Sequence, residues 1–351
     1  MSASTVRFAL CLGLSLLGPT LTQATLTSSY QFNGKGNWSL DAVGGNTSPV
    51  GNVQAFVPVG STVVKAFLYT SLWDGAASVP NLSLAGVSYS GAAWTALGPN
   101  VSASYLQAYR ADVTAQIQAA IGGGSASLFD FSVTETSNTL GTDGEVLAII
   151  YSNPLESERT IAFLDGSSAS DGDSTTINFS TALSGVGDPG FEALVSLGIG
   201  FGHQPNGQYS VVQGNGRTLT SSAGGEDDGV PDNGALITVG GLGDSSANPN
   251  PTVFDSGGPR TDDELYDLGQ GNSVNSAPFL SNGLTSYTFN TNNPSDNDNI
   301  FFLGVNITAR AGVNQPPPPA TPGVPDSGST AGLAALGIIA LAAWKRATKS
   351  A

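Results

Sequence analysis

Three acidic clusters hold most of the chemistry that the side chains of this sequence could do. The first is Glu226-Asp227-Asp228-Gly229-Val230-Pro231-Asp232-Asn233. The second is Asp262-Asp263-Glu264 with Asp267, and the third is Asp296-Asn297-Asp298-Asn299. Calcium takes about six to eight oxygens from carboxylates and carbonyls in turn-rich loops, and these segments supply oxygen donors and little else. Glu226, Asp228, Asp232, Asp263, Asp267, Asp296 and Asp298 are therefore candidate calcium ligands. The first segment is not an EF-hand. With Gly229 in the sixth place of such a loop, the first place falls on Gly224 and the twelfth on Ala235, neither of which ligates through its side chain. The competing reading is that acidic loops only solvate a weakly charged chain. The same carboxylates could also form a glycosidase pair, which needs two carboxyls about 5 Å or about 6.5–9.5 Å apart across a cleft. Sequence spacing does not give that separation.

Other chemistries are limited by what is scarce. The chain has one Cys (Cys11), one His (His203) and one Met (Met1). Disulfides, thiolate metal sites and a Cys–His protease are excluded by count. A Ser–His–Asp triad would have to use His203, which sits in the turn-rich Gly-Phe-Gly-His-Gln-Pro-Asn-Gly stretch, and no G-x-S-x-G elbow occurs. Trp38, Trp73, Trp94 and Tyr105 could build a sugar-binding platform or simply pack. Eleven basic against 27 acidic residues give a net charge of -16. Phosphate recognition needs clustered Lys and Arg, so nucleic acid is excluded as a partner.

Both ends read as addresses. Residues 1–24 have one charge (Arg7), a short apolar core from Phe8 to Leu17, a break at Pro19 and small residues at Thr22-Gln23-Ala24. This is the pattern of a secretory signal peptide. Near the other end, residues 313–323 form a stiff Pro-rich linker containing Pro316 to Pro319. Val324-Pro325-Asp326-Ser327-Gly328 follows, then an apolar stretch 331–344 and the basic Lys345, Arg346 and Lys349. Fourteen residues at about 1.5 Å each reach about 21 Å, short of a roughly 30 Å hydrocarbon core. The physical expectation is a transient transmembrane hold with its basic end cytoplasmic.

This three-part tail, 324–351, resembles the VPDSG-CTERM sorting signal, a variant of the PEP-CTERM class. The resemblance implies cleavage at Val324–Gly328 by an exosortase as processing partner. It also implies passage through the inner membrane by 331–344, and delivery to the cell surface, outer membrane or extracellular matrix of a Gram-negative-type bacterium.

Between these ends, 25–312 reads as one β-rich body. Short strand-like runs are Ser61–Trp73, Ala126–Thr134, Glu145–Tyr151, Arg159–Leu164, Thr175–Phe179, Leu194–Phe201, Ser286–Asn290 and Asn299–Ala309, separated by Gly, Asn, Asp and Ser turns. Val63–Leu68 and Leu147–Ile150 are nearly continuous apolar runs and are expected as central strands. Asp112–Ile121 is expected as the one helix, with Asp112 as N-cap, Val113, Ile117 and Ile121 on one face and Gly122 past its end. The fold class is all-β: one long or two packed β-sandwich or jelly-roll units with a short helix, plus the C-terminal hydrophobic sorting helix. A boundary falls at 166–190 if there are two.

The order of Val57-Pro58-Val59-Gly60, Lys65–Tyr69, Ala111–Thr114, Gly144–Tyr151, Asp263–Leu268 and Asn293–Phe302 resembles a family of secreted β-rich surface proteins of bacteria and archaea, from which no catalytic residues carry over. The expectation is a non-enzymatic surface or matrix protein with a structural or adhesive role. Its rivals are a calcium-dependent module binding extracellular polysaccharide and a secreted glycoside hydrolase.

Overall fold

The computed structural model describes residues 25–44, 48–72, 79–99, 106–122, 126–136, 141–169, 172–202, 209–224, 237–248, 264–295 and 298–319. The signal segment 1–24 and the sorting tail 324–351 lie outside them. Among the described residues no helix is long and apolar enough to cross a membrane.

The first half contributes β1 (Thr27–Gly44), β2 (Val50–Phe56), β3 (Thr62–Leu72), β4 (Leu82–Leu84), β5 (Val87–Tyr89), β6 (Thr95–Pro99), β7 (Gln107–Asp112), α1 (Thr114–Ile121), β8 (Leu128–Glu135) and β9 (Thr142–Ser152). The second contributes β10 (Glu158–Asp165), β11 (Asp173–Phe179), β12 (Ala193–Gly200), β13 (Ser210–Gly214), β14 (Arg217–Ala223), β15 (Ile237–Val239), β16 (Leu265–Asp267), β17 (Ser286–Asn292), β18 (Asn299–Ile307) and β19 (Ala311–Val313). The protein is nearly all β, as its composition requires.

A ten-stranded sheet runs β15-β12-β18-β10-β1-β9-β3-β7-β6, with β16 also on β12. A five-stranded sheet runs β14-β13-β17-β11-β19, and a four-stranded one β2-β8-β4-β5. The large sheet folds on itself about β1. Thr27 to Lys35 pair antiparallel with β10, and from Gly36 to Gly44 the same strand pairs with β9. The crossover needs a missing side chain, because a Cβ on Gly36 would stand 2.2 Å from the Tyr151 carbonyl oxygen.

Side-chain alternation then sorts the apolar residues into three cores. On β9, Leu147, Ile149 and Tyr151 face the four-stranded sheet and α1. Val146, Ala148 and Ile150 face the opposite way, meeting Phe163, Phe301 and Phe302 of the other half of the large sheet. On β10, Ala162 and Leu164 turn toward the five-stranded sheet. The result is two sandwiches back to back, four layers deep. Strands with a core on each face read as continuous apolar runs rather than alternating ones. That is why 63–68 and 147–150 look as they do. The chain crosses from one sandwich to the other at 153–157, while 166–190 carries β11 within the second.

The helix starts two residues later than the sequence suggests. Asp112 ends β7, and Val113 is the N-cap residue without a side-chain cap. Asp112 still serves the helix, since its Oδ1 accepts from Thr114 N at 3.0 Å and Thr114 Oγ1 at 2.6 Å. Val113, Ile117 and Ile121 are buried as the four-residue spacing requires. Gly122 is not left-handed (φ -61). It is a glycine because a Cβ there would come within 2.6 Å of the Gln118 carbonyl oxygen.

Candidate functional site

Several acidic residues converge on one end of the double sandwich. β8 ends at Glu135 and β9 begins at Thr142, so Glu135, Asp143 and Glu145 flank the connection from the four-stranded sheet to the large one. Glu135 follows Phe131 and Val133 on the inward face of β8, and Glu145 precedes Leu147 and Ile149 on the inward face of β9. Their exposures are 5% for Glu135, 0% for Asp143 and 1% for Glu145. Gly144 between the last two has φ +147. A Cβ there would collide with the Val43 carbonyl oxygen at 2.1 Å, so this irregular register is open only to glycine. From the other half of the large sheet, Gly200 of β12 closes over the group. Its missing Cβ would lie 2.1 Å from Ser71 Oγ and 3.0 Å from Asp143 Oδ2.

The unusual property of this cluster is what it lacks. Both oxygens of Glu135, both of Asp143, Oε1 of Glu145 and Oγ of Ser71 are buried with no hydrogen-bond partner. Buried polar atoms are normally satisfied, so each exception calls for an account. Burial pushes Glu135 up to about 8, helped by the like charge of Asp143 and only partly offset by Thr142 and Glu145 nearby. Burial pushes Asp143 up to about 7, against a small opposing pull from Ser71 and the Phe201 amide, neither placed to make a full hydrogen bond. Glu145 is raised well above the usual carboxylate range by burial and then by Glu135 and Asp143. Among the described residues, five basic side chains are engaged elsewhere. Lys65 pairs with Asp112, Arg110 with Asp165 and Arg159 with Glu192, each at 2.6 Å. Arg217 donates to the carbonyls of Pro278, Asn275 and Ala277, and Lys35 to that of Pro154.

Of the candidate calcium ligands read from the sequence, Asp267 and Asp298 are described. Glu226, Asp228, Asp232, Asp263 and Asp296 lie outside the described residues, as do His203, Trp73 and Tyr105. Asp267 ends β16 and works as a turn clamp, accepting from Gly269 N and Gln270 Nε2, both at 2.8 Å. Asp298 Oδ2 accepts from Ser210 Oγ at 2.7 Å. Glu264, beside Asp263 in sequence, accepts from Gly224 N at 2.7 Å and Thr238 Oγ1 at 2.8 Å. Asp298 Oδ2 stands 3.8 Å from where a Cβ on Gly224 would be. So the fold draws residues bordering all three acidic clusters to Gly224, a proximity no sequence spacing shows. Gly224 in turn packs on Gly202, two residues beyond Gly200 and the unpartnered carboxyls. Among the described residues, however, no three His, Cys, Asp or Glu side chains surround one point as metal ligands do.

The described candidates for a sugar platform are packed. Trp94 is 8% exposed within the N-terminal core, and Trp38 stacks on Phe163 with ring centroids 6.3 Å apart. Sequence reasoning passed over Glu135, Asp143 and Glu145. The available signal was an acid two residues from another (143 and 145) on the very strand whose apolar run marks it as buried.

Beyond the body, residues 323–347 match the VPDSG-CTERM motif. This tail is a sorting signal of the PEP-CTERM kind. A VPDSG-CTERM tail implies export and membrane-anchored sorting through an exosortase. No curated protein matches the chain. Two solved structures of PNGF-II, in P21 and C2 space groups, are similar over 81% of this chain at 10% identity, with TM-scores of 0.21 and 0.20. The chain spans 65% and 64% of their lengths. Likeness at that level carries no argument about what this chain does.

Proposed function

We propose that this is a non-enzymatic surface or extracellular-matrix protein that presents its double sandwich outside a Gram-negative-type cell in a structural or adhesive role. The observation that carries the reading is the VPDSG-CTERM motif at 323–347 placed after an all-β body and a Pro-rich spacer. β19 closes the body at Val313. The described part of the spacer is anchored rather than free, since Asn178 Nδ2 donates to Gln315 O and Ser180 Oγ to Pro318 O. A proline spacer of this kind is a semi-rigid stand-off, which suits a domain displayed away from a membrane. Exosortase would cut within Val324–Gly328 while 331–344 holds the precursor in the inner membrane. Mass spectrometry of the surface form tests this. The expected mature protein lacks everything beyond 324–328, and replacing Pro325 and Asp326 by Ala leaves uncut precursor in the inner membrane. An intact C-terminus through Ala351 at the cell surface, or normal cutting of that variant, would overturn the reading.

A further inference from the structure

We propose that the outward face of the five-stranded sheet binds an uncharged polysaccharide chain. The argument begins with which side chains point outward. Along β11, residues 175, 177 and 179 enter the core, so Ser174, Thr176 and Asn178 face solvent. On β17 the outward set is Ser286, Thr288, Asn290 and Asn292, and on β13 it is Val211 and Gln213. Ser174 stands opposite Asn290, Thr176 opposite Thr288 and Asn178 opposite Ser286, with Gln213 on the far side of Asn290. All of these but Val211 are amides or hydroxyls, and none is charged, in a chain of net charge -16.

The array is held in place by its own hydrogen bonds. Ser174 Oγ donates to Asn290 Oδ1 at 2.6 Å, and the Thr176 and Thr288 hydroxyls bond each other at 3.0 Å. Side chains already fixed lose little freedom on binding. Two depressions lie along this face. One, of about 390 Å³, is lined by Ser174, Gln213, Asn290 and Asn292. The other, of about 620 Å³, is lined by Thr176, Asn178, Asn314, Gln315, Pro316 and Pro317. Between them, Ser174 to Asn178 runs about 13 Å at about 3.3 Å per residue, so the two join into an extended trough. Among the described residues lining the depressions, Asp173 alone is charged. Its carboxylate is engaged, accepting from Thr25 Oγ1, Leu26 N and Ser174 N.

The chemistry selects the occupant. Amides and hydroxyls both donate and accept, which is what a chain of sugar hydroxyls requires. An anionic partner such as nucleic acid needs cations, and a protein partner favours an apolar, aromatic-rich centre. The outward positions offer neither. The inference deepens the adhesive role proposed above and rests on it for the place where glycan is met.

Retention of the exported, processed protein on insoluble cellulose, mannan and chitin, with alginate as the acidic comparison, tests the face. At least one neutral glycan should retain the protein, equally at low and high salt because no charge is involved. Gln213→Ala combined with Asn292→Ala, both at exposed positions, should weaken retention about tenfold or more through lost hydrogen bonds, with melting unchanged. Asn290→Asp, which keeps the shape and adds a charge, should weaken it too. Phe56→Ser combined with Leu128→Ser, on the outer face of the four-stranded sheet, should leave it intact. No retention on any neutral glycan, retention confined to alginate, or retention untouched by the Gln213 and Asn292 changes would overturn the proposal, as would its loss in the Phe56 and Leu128 variant. The sorting reading fails separately. Glycan retention by a surface protein intact through Ala351 would leave this face standing and remove that reading, and correct cutting without retention would do the reverse.

Discussion

Two buried acidic centres on the same folded sheet contrast sharply. Asp165, at the end of β10, is 4% exposed and fully provided for. Arg110 Nη1 pairs with its Oδ2 at 2.6 Å, and Tyr69 Oη donates to the same oxygen at 3.0 Å. Arg110 also lies over the Phe67 ring, 4.8 Å from its centroid, and the neighbouring carboxylate and burial push the Tyr69 hydroxyl well above its ordinary value. Glu135, Asp143 and Glu145 are as deeply buried, and among the described residues no cation pairs with them. Burial therefore does not set the charge state of an acid in this protein; the inventory of partners does. Among the described residues the second centre has no such partner, and most of its carboxyl oxygens make no hydrogen bond.

Five experiments sharpen or break that contrast. The largest effect is expected from Arg110→Met, which strands Asp165 as an uncompensated buried charge. A loss of about 3 kcal/mol in urea unfolding is expected, at the low end for such pairs because Arg110 keeps 21% of its side chain exposed. A loss under about 1 kcal/mol would mean that Asp165 does not depend on its partner, and the contrast would fail.

At the other centre the sign reverses. Glu145→Gln sheds a charge that is costly to bury, so in chelator at pH 8 it should stabilise by about 1–2 kcal/mol. The unaltered protein in chelator carries the matching pH signature. These carboxyls titrate near pH 4 when unfolded, whereas in the fold Glu135 lies at about 8 and Asp143 at about 7. Their favourable contribution is complete below about pH 4 and drains away as pH climbs through 7 to 8. Urea midpoints that rise between pH 5 and pH 8 would refute it. Gly200→Ala drives a methyl into Ser71 Oγ and should cost about 1–2 kcal/mol by overpacking. Lys65→Ala is the control. Its partner Asp112 is 52% exposed, and removing such a surface pair should change stability by less than about 1 kcal/mol.

How far the sequence could be read follows the range of the interactions. The eight strand-like runs found from residue patterns each overlap a strand, because alternation and β-branched composition are local properties. The longest strand went unseen. Its 18 residues, TSSYQFNGKGNWSLDAVG, carry Gly34 and Gly36 in mid-strand, where glycine reads as a turn signal. Gly36 serves instead to let β1 exchange β10 for β9 at the fold of the large sheet. Trp38, a candidate for ligand stacking, is committed to that fold through Phe163. The acidic clusters drew attention by local density, yet Asp267 and Asp298 are spent on turn and hydroxyl contacts.

The sequence by itself determined the class of the protein and the address at its C-terminus. Apolar runs specify strands with a core on each face, and Val324 to Lys345 spells a linear sorting signal that is read without any tertiary context. Only the tertiary structure decided that there are two sandwiches rather than one. It alone brought Glu135 against Asp143 and Glu145 beneath Gly200, and the borders of three distant acidic clusters to Gly224. The reason is physical. A sorting tail works through contiguous residues, whereas a buried site is made by long-range strand pairing, in which Ser71, Asp143 and Gly200 become neighbours although 57 or more residues separate each from the next.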